Sequence, residues 1–364
     1  MTRPRRLFNY LAPSAPGTRR KERGDEPWVR PEIGFVPSWF HQRAGVCFGE
    51  RWHADPAYRR ESLIAMTREL DRAFPGAFIG RMGEKTDDQA TPDLLTGTLG
   101  ACAMAGIYGM EIVYADAEWP DIRGECLTDE QVDRLKPPNL DENPLFQNLM
   151  KQVDWIARHV GVVKGFVNWQ GVLNTAFRLR GLKVFTDMVE APERTHHLFS
   201  CIHKTMEEGA RRLHERQRQT GFPVDFFTVS NCVVNMISPG HYREYVMPWD
   251  RRFGKTFGCL GVHNCAWTAD PYLEDYASLP NVAYIDMGAD SDLEKARWLF
   301  SEARRALMIP PTYVTQRSLQ ELRRDVEGWV CRYGPCDLVF ADLDCTVPDC
   351  TVRGLLSLSN IVVR

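Results

Sequence analysis

The chain of 364 residues contains no run of about 18 apolar residues, so no segment of it reads as a membrane-spanning helix. Charge of one sign is not in excess either: the formal net charge is −3, and the body of the sequence gives no basic field for nucleic acid. The 11 cysteines lack the dense regular spacing of a disulfide scaffold, and no secretory signal is read at the start, so reduced thiols in a cytoplasmic protein are expected. No Gly-x-Gly-x-x-Gly follows an early strand pattern and no Gly-x-x-x-x-Gly-Lys occurs, which removes the dinucleotide and P-loop signatures. His-Glu-x-x-His is also missing, and with it the helical motif of many zinc hydrolases. Hydrophobic residues at 44% and charged residues at 26% leave a packed globular enzyme as the remaining class.

Residues 1–30 differ from the rest. Arg3, Arg5, Arg6, Arg19, Arg20, Lys21 and Arg23 alternate with Pro and Gly, so this stretch is a basic arm. It reads either as a partly ordered solvated tail or as a contact for an acidic partner or for a second copy in a homodimer.

Residues 31–364 alternate between two patterns. Short β-rich runs fall at Ala77–Gly80, Glu111–Tyr114, Val163–Val167, Phe226–Val229, Phe257–Val262, Val282–Asp286, Ala306–Ile309 and Asp337–Ala341. Helical patterns separate most of them, at Pro56–Phe74, Leu94–Tyr108, Asn143–Val160, Pro192–Thr220, Pro239–Phe257, Asp290–Ala303 and Ser318–Tyr333. Eight strands with helical crossovers predict an α/β fold, a single (β/α)8 TIM barrel with an N-terminal extension. A doubly wound open sheet is the alternative.

The triplet His263-Asn264-Cys265 follows one strand pattern and Cys345 follows another. Side chains alternate along an extended chain, so His263 and Cys265 point to one side and can close on one ion, with Cys345 supplied by the last strand. Two thiolates and an imidazole suit zinc, and three protein ligands leave a fourth position open for catalysis. Cys350 is the rival to Cys345, and Asp342 or Asp344 could serve as a displaceable fourth ligand. Asn168, Trp169 and Gln170 after one strand, and Asn231 after another, are candidates to line a substrate. Asp286, a further pocket candidate, reads either as a residue that orients His263 or as a helix-capping or solvated aspartate, while Trp39, His41 and Arg43 are candidates for the barrel mouth.

Five stretches carry a family resemblance: Pro37-Ser-Trp-Phe-His-Gln-Arg-Ala-Gly45, Gly171-Val-Leu-Asn-Thr-Ala-Phe-Arg-Leu-Arg-Gly181, Ile237-Ser-Pro-Gly-His-Tyr-Arg-Glu-Tyr-Val-Met-Pro248, His263-x-Cys265 with Cys345, and Val347-Pro-Asp349. From about Gly34 to Asn360 the chain resembles the uroporphyrinogen decarboxylase-like superfamily, specifically its corrinoid-dependent zinc methyltransferases acting on coenzyme M or chloromethane. The resemblance implies zinc at His263, Cys265 and Cys345, and methyl transfer between a small O-, N-, S- or halide-bound methyl donor and a cobalamin or other corrinoid. No Asp-x-His-x-x-Gly motif for gripping a corrinoid is present, so the cofactor would come on a partner protein or free in solution. Arg43 is shifted by one position from a decarboxylase arginine and Val46 replaces a second, so tetrapyrrole carboxylates would lack bidentate partners. Three other readings stay open: a corrinoid-independent thiol methyltransferase, a uroporphyrinogen decarboxylase-type decarboxylase, and a non-catalytic metal-binding partner subunit.

Overall fold

The computed structural model describes residues 28–75 and 92–358, together with the backbone of residues 6–7 and 78–79. The basic-arm assignment therefore falls almost entirely outside the described residues. Six strands build the central sheet: β1 Val29–Phe35, β2 Phe226–Ser230, β3 Cys259–His263, β4 Val282–Gly288, β5 Arg304–Met308 and β6 Cys336–Leu343. Every pairing in it is parallel and the order is β1-β6-β5-β4-β3-β2. Among the described residues, no helix is long and apolar enough to cross a membrane.

The alternation of side chains sorts the strands into two cores. Leu260, Val262, Leu338 and Phe340 belong to the main core shared with the helices, while Phe226, Tyr284, Ala306, Val339 and Ala341 form a smaller cluster on the other face of the sheet. That inner face is crowded. A Cβ on Gly261 would stand 2.6 Å from Thr228 Oγ1 and 2.7 Å from Phe226 Cζ, so only glycine fits there. At the N-terminal strand ends, Asp337 is held by Arg30 and by Arg304, whose Nε lies 2.7 Å from Asp337 Oδ2. The polar chemistry at that end is neutralised within itself.

Helices form where caps and apolar periodicity agree. Asp55 accepts from the amides of Ala57 and Tyr58 to start Pro56–Ala73, and Ser318 with Glu321 makes a reciprocal capping box for Leu319–Tyr333. Pro192 opens the 28-residue helix Pro192–Gln219 at its first turn, where its missing N–H costs nothing.

Several expected elements differ. Glu111–Val113 pairs antiparallel with Asp121–Arg123 in a separate hairpin and does not join the main sheet. Residues 163–167 form no strand, because Gly165 takes φ +104 and breaks the extended run. Of Ala77–Gly80 only Phe78–Ile79 is described as strand. The helix expected over Leu94–Tyr108 shrinks to Ala103–Ile107, since Gly97, Leu99 and Gly100 all have positive φ. Conversely β1 is a strand although it contains Pro31 and Gly34; within the described sheet it pairs only with β6, and an edge tolerates a missing donor.

Candidate metal centre

The registers align three strand ends. Ser230 of β2 pairs with His263 of β3, and His263 pairs with Asp286 of β4. Two residues beyond Ser230 comes Cys232, and two beyond His263 comes Cys265. Ligand atoms of Cys232, His263 and Cys265 all lie within 4.8 Å of one another. His263 is buried and the two cysteines are partly buried.

The surrounding bonds fix this arrangement. Asp286 is fully buried; its Oδ2 lies 2.7 Å from His263 Nδ1 and accepts from Tyr284 Oη at 2.9 Å. Its Oδ1 accepts from the backbone amides of Asn264 at 3.0 Å and Cys265 at 3.1 Å. With four donors the carboxylate is satisfied as an anion, and a proton on Nδ1 leaves His263 Nε2 as a ligand. The Cys232 turn is held in parallel: Asn231 N donates to His263 O at 2.7 Å, and Val233 N donates to Asn174 Oδ1 at 3.1 Å. Cys265 takes φ +62, a costly backbone for a non-glycine residue that the Asp286 bonds maintain.

The electrostatics favour a thiolate. The Cys232 thiol and then the His263 imidazole, both bonded to Cys265, outweigh burial and lower its pKa to about 4. Cys232 is pushed up, chiefly by that same bond to Cys265 and by burial. Burial lowers the pKa of His263, but Asp286 and then Cys232 raise it further, so the net direction is upward. Such a donor set fits zinc. Zinc with sulfurs at about 2.3 Å and nitrogen at about 2.0 Å would hold its donors about 3.5–3.8 Å apart, and the three ligand atoms lie within 4.8 Å of one another.

Cys345 is not brought to this group. The reason is local: Asp342 takes φ +59 and the pairing of β6 with β1 shifts between Phe340 and Leu343, which ends the alternation on which the sequence argument rested. Ala341 lies in the inner cluster, whereas Leu343 lies in the outer core with Phe340. Cys345 ends up exposed, influenced by Arg43, Asp344 and Asp349, and Cys350 is exposed at the start of the helix Asp349–Ser357. Asp342 instead faces the cluster; burial and the charge of Cys265 push its carboxyl up to about 6, with His263 opposing. Asp344 caps a turn, accepting from Thr346 N at 2.8 Å.

The remaining candidates divide. Trp39 is fully buried, its ring 4.1 Å from that of Phe35 with the Arg43 guanidinium over it, so it is packing and not pocket lining. Trp169 packs under the long helix, where a Cβ on Gly209 would meet its ring at 2.8 Å. Asn168 Oδ1 accepts from Gln170 N at 3.0 Å, and Gln170, at φ +64, accepts from Asn174 Nδ2 at 3.3 Å; both brace the Cys232 turn through Asn174. Asn231 is fully buried and donates to Asp250 Oδ2 at 2.9 Å. His41 Nδ1 lies 3.0 Å from Val46 O. Arg43 is bidentate on Asp349, at 2.6 and 2.9 Å, and bonds Glu69 at 2.7 Å. The residue missed from the sequence is Cys232, whose signal was its place two positions past a strand end.

Known proteins agree with this fold. No curated protein matches the chain. A solved structure described as a methyltransferase from Methanosarcina mazei is similar over 92% of this chain and 94% of its own, with a TM-score of 0.61 and 11% identity, a likeness of fold. The family model of Uroporphyrinogen decarboxylase (URO-D) matches residues 89–335, which include β2 to β5 and all three clustered ligands. That span exceeds half of the chain, and the chain belongs to the uroporphyrinogen decarboxylase (URO-D) family.

Proposed function

We propose that Cys232, His263 and Cys265 hold zinc and that the protein moves a methyl group between a heteroatom of a small substrate and a corrinoid supplied by a partner protein or free in solution. The observation that carries this reading is the thiol–imidazole–thiol group within 4.8 Å at the ends of adjacent parallel strands. When bound, zinc supplies Lewis acidity toward the heteroatom that gains or loses the methyl group. Asp286 keeps the His263 Nδ1 proton in place, and its bonds to the Asn264 and Cys265 amides set the spacing of the two ligands. Asp342, whose carboxyl is influenced by Cys265 and His263, would be the nearby group able to complete the coordination when no substrate is bound.

Two further observations favour methyl transfer over decarboxylation. Arg43, the candidate for gripping tetrapyrrole carboxylates, is consumed by Asp349 and Glu69. Met236 and Trp267, four residues after Cys232 and two after Cys265, are exposed apolar side chains where a large flat partner such as a corrin ring would need contact. The test is zinc analysis combined with the yield of methylcobalamin from cob(I)alamin and a panel of methyl ethers, amines, thioethers and halides. Stoichiometric zinc and cobalt methylation from one donor class support the reading, and a zinc-free protein inert to every class defeats it.

A further inference from the structure

Behind the candidate metal centre lies a second, fully buried polar group. Asp250, on the helix Met247–Phe257, accepts at Oδ2 from Asn231 Nδ2 and from Tyr242 Oη, both at 2.9 Å. Its other oxygen, Oδ1, has no partner, and neither does Asn231 Oδ1. Both residues are 0% exposed. Two orphaned acceptors on one bonded pair are costly, because each has given up water without gaining a donor in its place. One proton removes both defects. Placed on Asp250 Oδ1 it would give Asn231 Oδ1 the donor it lacks, in a ring of two opposed hydrogen bonds, and would leave Oδ2 as a carbonyl with two donors.

We propose that Asp250 is a positioning residue kept as the neutral acid, closing a cyclic acid–amide pair with Asn231 that fixes the Cys232 turn against the end of β3. Asn231 is the link: its own amide donates to His263 O at 2.7 Å and the next residue is Cys232. Tyr242 reaches Asp250 from a π-helical turn, Tyr242–Val246, an irregularity often found beside functional sites. Tyr276 continues the network, reaching Asn231 and donating to Asn264 Oδ1 at 3.1 Å, so both ligand-bearing loops are tied to one buried group. The titratable groups facing the pair are Tyr242 and Tyr276, both held neutral by burial, with Asp275 beyond Tyr242. Burial pushes the Asp250 carboxyl up to about 6, against the bonds from Asn231 and Tyr242, which keeps the proton at mildly acid pH.

This inference rests on the zinc reading for its consequence but not for its direct test. Infrared spectra of the metal-free protein at about pH 5.5, well above the ordinary aspartate pKa of about 3.9, should show a protonated-carboxyl carbonyl band that disappears in Asp250→Asn. Asp250→Asn presents an amide to the same partners and should hold zinc within about threefold of wild type, whereas Asp250→Leu, which leaves Asn231 unpaired, should weaken it by about 10- to 100-fold. The lack of any band difference, or loss of zinc in Asp250→Asn equal to that in Asp250→Leu, overturns the proposal. If Asp250→Leu does not fold, the band and the Asp250→Asn affinity still decide. A wild type that binds no zinc would defeat the metal reading alone, and the band would then judge the acid–amide pair by itself.

Discussion

Asp286 Oδ2 stands 2.7 Å from His263 Nδ1, at positions paired in register between β4 and β3. The same carboxylate binds the amides of Asn264 and Cys265, so one buried anion sets both the orientation of the imidazole and the backbone that carries the neighbouring thiol. Removing it should loosen the metal more than the fold. Asp286→Ala is expected to weaken zinc by about 10- to 100-fold in competition with a chromophoric chelator. Asp286→Asn should lose nearly as much, because its amide presents donors where donors already point. An unchanged affinity in both would mean that the carboxylate does not serve the ligands.

The third ligand can be settled by metal content. Cys232→Ser should lose most of its zinc while Cys345→Ser and Cys350→Ser keep it, because only Cys232 shares the 4.8 Å group with His263 and Cys265. All three should remain folded, since a core of this size does not depend on one ion. Zinc loss in Cys345→Ser with retention in Cys232→Ser would reverse the assignment.

His263 and Asp286 could be read from the chain because strand alternation holds up to the end of β3 and β4, whereas Cys265 lies two residues past β3 at φ +62 and is held beside His263 by the Asp286 bond to its amide. Cys345 could not be placed, because the left-handed backbone at Asp342 ends the strand alternation that would carry its side chain to the group from the last strand. Cys232 was legible only in part: its spacing from Ser230 mirrors that of Cys265 from His263, but the pairing that equates them is a long-range fact. The barrel-type alternation of strand and helix was visible for the same reason. Val29–Phe35 was not, since its charges, Arg30 and Glu32, look solvent-facing until Asp337 and Arg304 are folded against them.

Glycine at 261 is a packing requirement. Gly261→Ala should cost about 1–3 kcal/mol, because the new methyl meets Thr228 Oγ1 and Phe226 Cζ inside normal contact distance. Denaturant unfolding measures it, and a neutral result would show that the inner face can relax.

Acid sensitivity should come from buried histidines. Burial holds His53 down at about 3, and His203 and His214 at about 4, with neighbouring arginines adding to the effect. Their folded pKa values lie below the ordinary value, so as pH falls from about 6.5 toward 4 the unfolded chain takes up protons that the native protein refuses, and stability declines. Each histidine contributes a slope of up to about 1.4 kcal/mol per pH unit in that window. Replacing His214 with Gln should flatten the profile measured by thermal or denaturant unfolding at several pH values. An equally steep decline in that variant would place the sensitivity elsewhere.

The central claim is that the Cys232, His263 and Cys265 group acts in methyl transfer to or from cobalt. Single-turnover spectroscopy tests it most directly: cob(I)alamin is mixed with enzyme and the active donor, and methylcobalamin is followed in wild type and in Cys232→Ser, alongside corrinoid affinity. The account predicts that the variant loses at least about 100-fold in methylation rate, the size of effect expected when charge stabilisation in the transition state is removed, while corrinoid affinity changes little. Equal rates in wild type and a zinc-free Cys232→Ser would contradict it and leave the group a structural feature of the strand ends.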